Sequence, residues 1–247
     1  MRPTAVVTAS GGMMGAAIAV ALAGAGYDLV LNDRRDGTLP PVEERVRELG
    51  ADATSVLTDV STREGAHAVV GAALERWGTV DVLVNVAGGL KGPLHNPILE
   101  ITDEQWARTF AVNVDSAFRC MQAALPTMIE RRRGKIVNIA STNWAGSAMH
   151  AHYAASKAAL VSLTRSVANQ VGVHDVNVNV IAPGGTQTSA ADLPGFPTAE
   201  QWKTANPLGR PNLPDDIAEA VLFLVSDAAR NITGQILNVA GGLNPSL

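Results

Sequence analysis

Tyr153 and Lys157 stand four residues apart in Tyr153-Ala154-Ala155-Ser156-Lys157. On a helix that spacing puts both side chains on one face. A phenol normally titrates near 10, so a tyrosine that gives and takes protons near neutrality needs its pKa lowered by about 3, roughly 4 kcal/mol. A neighbouring ammonium pushes in that direction, as does any further positive charge brought alongside. A lone Y-x-x-x-K pair is common by chance and reads equally well as one side of an amphipathic helix.

A second candidate is Thr8-Ala9-Ser10-Gly11-Gly12-Met13-Met14-Gly15, between an apolar run and an Ala-rich stretch. A glycine turn at a helix N-terminus offers backbone N–H groups and a positive dipole end to a phosphate. It is not G-x-G-x-x-G, so a plain strand–helix turn stays open. Asp33 follows the next apolar run, eighteen residues after Gly15. An acid near this spacing can hydrogen-bond the ribose hydroxyls of NAD and repel a 2′-phosphate. Arg34 and Arg35 can instead attract that phosphate, and a solvated loop acid is the bland alternative. These residues favour NAD and leave NADP open. The Asp and Glu residues form no ligand-spaced cluster, so no catalytic metal is expected.

The elements that must position these groups are legible as apolar runs. Candidate strands are Ala5–Thr8, Asp28–Asn32, Thr54–Thr58, Val80–Val86, Lys135–Ile139, Asn177–Ala182 and Gln235–Val239. They are continuous rather than alternating, as in strands of a parallel sheet buried on both faces. Helices fit between them at Gly15–Gly26, Pro41–Gly50, Arg63–Trp77, Asp103–Arg131, Tyr153–Val171 and Asp215–Ser226. Thr102-Asp103-Glu104-Gln105 has capping-box spacing and marks a helix start. The alternation predicts an α/β fold, a Rossmann-like doubly wound domain whose seven-stranded parallel sheet is flanked by helices. Residues 1–247 read as a single dinucleotide-binding domain. Pro183–Pro214, with six prolines, is the long irregular stretch and the expected substrate lid.

Composition narrows the partners. The chain has 247 residues, a formal net charge of −4 and no basic run longer than Arg131-Arg132-Arg133. No nucleic-acid or anionic-membrane partner is expected of so sparse a basic footprint. The arginine run reads as a solvated helix end complementing the dipole. Cys120 is the single cysteine, which excludes an internal disulfide and fits a cytoplasmic location. Ala5 to Tyr27 carries no charge and resembles a signal peptide, but Thr8, Ser10, Gly11 and Gly12 break it. A buried strand, a glycine turn and a buried helix is the better reading.

Taken together, the motifs resemble the short-chain dehydrogenase/reductase family. The matches run from Thr8 to Gly242: the glycine turn, Asp59-Val60, Asn85-Val86-Ala87-Gly88, Asn113, Ser141, Tyr153-x-x-x-Lys157 and Pro183-Gly184. Pro207-Leu208-Gly209-Arg210, Asp216-Ile217-Ala218 and Ile232-Thr233-Gly234-Gln235 add to the likeness. The resemblance implies Tyr153 as general acid/base, with Lys157 lowering its pKa and holding the nicotinamide ribose. It implies Ser141 on the substrate oxygen and Asn113 anchoring a water that relays protons towards Lys157. The bound nicotinamide's positive charge would add to the push on Tyr153. Ser10, Gly11, Gly12, Met14 and Gly15 would meet the cofactor's pyrophosphate, Asp33 its ribose, and Asp59 and Val60 its adenine. Asn85, Ala87 and Gly88 would line its cleft; Pro183, Gly184 and Thr188 would flank the nicotinamide.

The chain departs from the family pattern in three places. Ala9 and Met13 stand where the turn usually has glycine, so a methionine side chain would crowd the pyrophosphate unless Gly11 and Gly12 reroute the backbone. Ser141 lies twelve residues before Tyr153, one fewer than expected, and Ala240 replaces an acid before the last glycine pair. Trp144, Met149, His150 and His152 are candidates for the substrate wall, although a structural role suits His152 better than that of a second base. Trp202 fits lid packing or closure over substrate, and Trp77 and Trp106 fit core or interface. The expected activity is hydride transfer between NAD(H) and a secondary alcohol or ketone. The rivals are NADPH-dependent reduction of a ketone or 3-oxoacyl substrate, and a redox-inactive binding protein. Asp103–Arg131 and Tyr153–Val171 are, by resemblance, the faces that pair in a homotetramer.

Overall fold

The computed structural model describes residues 2–188 and 197–243. Seven strands form one parallel sheet: β1 (Thr4–Val7), β2 (Asp28–Asp33), β3 (Ala53–Leu57), β4 (Val82–Asn85), β5 (Gly134–Ile139), β6 (Val176–Pro183) and β7 (Ile236–Val239). Their order is β3-β2-β1-β4-β5-β6-β7, so the winding reverses between β1 and β4. Every expected strand is present, with ends shifted by no more than two residues. The continuous apolar runs have the predicted consequence, since β1, β2 and β4 are buried along their whole length.

Helices cover both faces. Ala5 and Val7 pack with Ile18, Leu22, Val221 and Leu224, from α1 (Met13–Gly24) and α8 (Pro214–Val225), together with Val42 and Val46 from α2 (Pro40–Glu48). Val6 points the other way, into a core with Val69, Met121 and Ala168 from α3 (Arg63–Trp77), α5 (Ser116–Glu130) and α6 (Ala151–Val171). Residues 5–27 are therefore β1, its turn and α1. No helix among the described residues is long and apolar enough to cross a membrane.

Two expectations need correction. The predicted helix Asp103–Arg131 is interrupted: α4 (Asp103–Phe110) gives way to a π-helical segment, Ala111–Asp115, before α5. Such wide turns insert an extra residue and re-aim a side chain, here Asn113, which is fully buried. The capping box at Thr102 and Gln105 does start α4, with bonds of 3.2 and 3.0 Å. The stretch 183–214 is not wholly irregular, because α7 (Ala199–Ala205) forms within it, started by a Thr198–Gln201 capping box. Residues 189–196 of the expected lid lie outside the described residues.

Candidate functional site

A cavity of about 820 Å³ opens at the carboxyl ends of the strands, where the sheet order reverses. In an open α/β sheet that reversal separates two loops and leaves a crevice for ligands. The volume falls within the range of about 300–1,000 Å³ typical of small-molecule sites.

One wall is the β1–α1 turn. Ala9 adopts φ +51, a left-handed conformation that glycine takes without cost. A Cβ on Gly15 would run into the Ala9 carbonyl, and one on Gly11 into the Thr38 side chain. These close approaches explain why glycine occupies both places. Gly12 caps α1 with no side-chain bond, and the first intrahelical bond goes from Ala16 N–H to Gly12 O at 2.8 Å. The first-turn N–H groups of Met13, Met14 and Gly15 are thus left for an anion. Met13 is 53% exposed on the cavity wall. Ser10, by contrast, is fully buried, its N–H and hydroxyl both on Asn32 O, and neither it nor Gly11 lines the cavity.

Asp33 closes β2 on the same wall and is nearly buried. Its carboxylate accepts from the Arg35 N–H at 2.9 Å and from Arg35 Nε and Nη2 at 3.1 Å. Burial alone would raise its pKa, but the Arg35 bonds and charge outweigh that and hold it below the usual carboxylate range. Arg34 meets Asp59 at 3.7 Å, and both line the cavity beside Val60. Thr8 secures the neighbouring turn, its hydroxyl oxygen accepting from Val86 N–H at 2.9 Å and Ala87 N–H at 3.0 Å. Ala87 and Gly88 reach the cavity, whereas Asn85 is buried behind it and donates to Asn138 Oδ1 at 2.8 Å.

The opposite wall carries Ser141, Tyr153, Lys157, Pro183, Gly184 and Thr188. Burial pushes the Tyr153 phenol up, while a hydrogen bond with the Ser141 hydroxyl opposes that shift. Lys157 Nζ donates to Ile139 O at 2.9 Å and lies 5.7 Å from the Tyr153 ring centroid. Desolvation pushes the Lys157 ammonium down to about 7. In this dry wall each group favours its neutral form.

Asn113 does not reach the cavity surface. Its Oδ1 accepts from Gly89 N–H at 2.8 Å, and its Nδ2 donates to Gly89 O at 3.1 Å and Ser156 Oγ at 3.2 Å. Ser156 in turn donates to Tyr153 O at 2.7 Å, which ties Asn113 to the helix turn bearing the tyrosine. A Cβ on Gly88 would lie 2.6 Å from Asn113 Oδ1 and 3.1 Å from Lys157 Nζ, so both side chains pack directly on that glycine. The fold thus gathers most of the expected residues on one cleft, with Ser10, Gly11, Asn85 and Asn113 behind its surface.

Met149 and His150 line the cavity, and Trp144 and His152 do not. His152 is fully buried and donates through Nε2 to Lys91 O at 3.2 Å, a structural contact. Trp202 is buried on the cavity wall, where its ring occupies the space a Cβ on Gly185 would need. Thr8 and Ser156 support these groups from behind, and Asn143 lines the cavity two residues after Ser141. The glycine cradle, the uncapped α1 terminus and the carboxylate of Asp33 together fit a dinucleotide. Among the described residues no three His, Cys, Asp or Glu side chains form a metal-binding group.

Known proteins resemble this chain in sequence and fold. The family model described as enoyl-(acyl carrier protein) reductase matches residues 8–244. The 3-oxoacyl-(acyl-carrier-protein) reductase FabG of Staphylococcus aureus is 32% identical over 246 residues, 98% of each chain. The crystal structure of an NAD+-bound xylitol dehydrogenase is 30% identical with a TM-score of 0.89, covering 97% of this chain and 98% of that one. A 3-oxoacyl-(acyl-carrier protein) reductase from Brucella melitensis has a TM-score of 0.90 at 28% identity, covering 99% of this chain and 92% of that one.

Proposed function

The chain belongs to the short-chain dehydrogenase/reductase family of NAD(P)-dependent oxidoreductases, and from that premise we propose that it transfers hydride between NAD(H) and a secondary alcohol or the matching ketone. The observation that carries this reading is the shared wall of Ser141, Tyr153 and Lys157, facing the glycine turn across one cavity.

In the reductive direction Tyr153 gives its phenolic proton to the substrate oxygen, and in the oxidative direction it takes that proton back. Ser141, already bonded to the phenol, holds the same oxygen and stabilises its developing charge. Lys157 recharges the tyrosine; with an ammonium pKa near 7 it gives or accepts a proton at little cost near neutrality. Asn113 keeps the turn of α6 and the Gly88–Gly89 backbone in register behind these groups. The cofactor supplies the hydride acceptor or donor, and in its oxidised form a positive charge that lowers the phenol's pKa.

NAD(H) is preferred because Arg35 is committed to Asp33. Arg35 could turn to a 2′-phosphate only by leaving a buried carboxylate without its ion pair. Ribose hydroxyls can join that carboxylate without displacing the arginine. A second reading, NADPH-dependent reduction of a 3-oxoacyl group, is favoured by the Staphylococcus aureus relative and by Arg34, half exposed on the cavity wall. The intact wall speaks against a redox-inactive binding protein.

We read the whole chain as one domain, with the lid contribution coming from α7 through Trp202. A cytoplasmic homotetramer is part of the same proposal. Trp106 and Phe118, 44% and 42% exposed, lie on the α4–α5 surface expected to pair, and Trp106 stacks on Phe110 at 4.9 Å. The decisive experiment is titration of purified protein with NADH and NADPH, following nicotinamide fluorescence. NADH is expected to saturate at the lower concentration. Failure of both to bind at millimolar levels would overturn the dehydrogenase reading, and tighter NADPH binding would overturn the role given to Asp33.

A further inference from the structure

His150 is a cavity-wall side chain outside the Ser–Tyr–Lys–Asn set, and its two nitrogens are both engaged. Nδ1 lies 3.0 Å from Leu94 O, and Nε2 lies 3.0 Å from Asn143 Nδ2. A carbonyl oxygen only accepts, so Nδ1 carries the hydrogen. Nε2 of the neutral ring then has only a lone pair, which an amide nitrogen can satisfy and an amide oxygen cannot. Burial lowers the pKa of His150 and so favours that neutral ring. The chain Leu94–His150–Asn143 therefore fixes which way the Asn143 amide faces.

Its anchor is firm. Asn96 N–H bonds Met149 O at 2.7 Å, and His152 holds Lys91 O, so the segment after β4 is stapled to the start of α6. Asn143 is also tied to the chemistry on both sides. Its N–H reaches Ser141 Oγ at 3.3 Å, and the His150 ring meets the Tyr153 ring edge-on at 5.3 Å. The cavity that Asn143 lines is also walled by the apolar side chains of Leu90, Leu94, Met149 and Trp202. Asn143 Oδ1 has no hydrogen bond among the described residues, which leaves a fixed acceptor beside the groups that hold the reacting oxygen. In such apolar surroundings an unmatched polar group disfavours any ligand that cannot bond to it.

We propose that Asn143, aligned by His150, is the specificity residue of the substrate site: it takes a hydroxyl on the carbon next to the reacting carbon, so the favoured substrates are α-hydroxyketones and the corresponding vicinal diols. Asn143 touches the substrate; His150 is a positioning residue that acts through it. This rests on the dehydrogenase reading above.

The test compares kcat/KM for 3-hydroxybutan-2-one with that for butan-2-one, using NADH, in the wild type and in Asn143→Leu, His150→Phe and His150→Gln. The wild type is expected to prefer the hydroxyketone by about tenfold or more, the worth of one well-placed hydrogen bond. Asn143→Leu and His150→Phe should lower that ratio about tenfold, chiefly through KM, while His150→Gln, which can both donate and accept, should restore part of it. A ratio that stays unchanged in Asn143→Leu overturns the proposal, as does a wild type that binds NADH and reduces both ketones equally. Binding of neither NADH nor NADPH by the wild type instead strikes the dehydrogenase reading itself.

Discussion

On the β1–α1 side the cleft is shaped by missing side chains, and on the β5–α6 side by hydrogen-bonded ones. Gly11 and Gly15 are glycines because Thr38 and the Ala9 carbonyl occupy the space a Cβ would need. Across the cleft Lys157, Asn113 and His150 are held by bonds to Ile139 O, Gly89 and Leu94 O. A wall set by contact distance fails abruptly when an atom is added, because close-packed backbone has nowhere to go. A wall set by buried polar groups fails by degrees and changes with protonation. The two sides should therefore answer substitution differently.

Gly88 lies at the seam, where one added methyl would meet Asn113 Oδ1 at 2.6 Å and Lys157 Nζ at 3.1 Å. Gly88→Ala should give the largest loss, roughly 100-fold or more in kcat/KM, since displacements near 1 Å at a reacting centre cost about that much. Steady-state kinetics beside an NADH titration would check it. Turnover near wild type would show that the seam yields and that the two walls are not mechanically joined there.

The polar wall carries a stability cost of its own. Moving the Lys157 ammonium from its ordinary 10.5 to about 7 disfavours the charged form by up to about 5 kcal/mol, at about 1.4 kcal/mol per pH unit. The unfolded chain binds that proton more tightly, so stability should rise with pH between about 7 and 10.5, and the penalty is complete below about 7. Lys157→Met should abolish turnover yet raise the melting temperature of the cofactor-free protein at pH 6.5 by several degrees, with the gain vanishing near pH 10. Thermal unfolding of both proteins across that range would decide it; a variant less stable at pH 6.5 would mean that the bond to Ile139 O outweighs the buried charge.

How far each wall was legible in the sequence follows from the same difference. The strands announce themselves as continuous Val, Ile and Leu runs, and the glycine turn sits between two of them, so its place in the cleft follows from local pattern. Tyr153, Lys157 and Ser141 are legible as a set only through the resemblance to the family, because helix spacing by itself pairs Tyr153 with Lys157 and says nothing of Ser141. The π-helical break at Ala111–Asp115 is not, because its cause is tertiary: Asn113 bonds to Gly89 and Ser156, forty-three residues away in the second case. Thr198 and Gln201 have the same capping-box spacing as Thr102 and Gln105, but the surrounding prolines argue for irregular chain and mask α7. The pairing of His150 with Asn143 depends on the segment after β4 folding back onto α6, which no spacing encodes.

A smaller effect is expected where the two principles meet at Asp33, a buried carboxylate held by Arg35 and close to the space above Gly11. Asp33→Asn keeps the shape and removes the charge. NADH affinity should fall about tenfold, as for the loss of one charge-assisted hydrogen bond, and NADPH affinity should rise relative to it. Fluorescence titration of both cofactors measures the ratio. An unchanged ratio would place cofactor choice with Arg34 and Asp59 instead.

The smallest effect belongs to Ala9, where the contact-built wall tolerates a methyl group in a glycine conformation at φ +51. A left-handed residue with a Cβ costs roughly 1–2 kcal/mol. Ala9→Gly removes that cost but adds about 0.4–1 kcal/mol of unfolded-chain entropy, which offsets part of it. The expected gain is a few tenths to 1 kcal/mol, or about 1–3 °C in melting temperature for a domain of this size. Ala9→Val must place a β-branched side chain in the same conformation and should lose more than glycine gains. If valine and glycine unfold at the same temperature, the turn is relaxing around its side chains, and the sharp distinction between the two walls does not hold at its narrowest point.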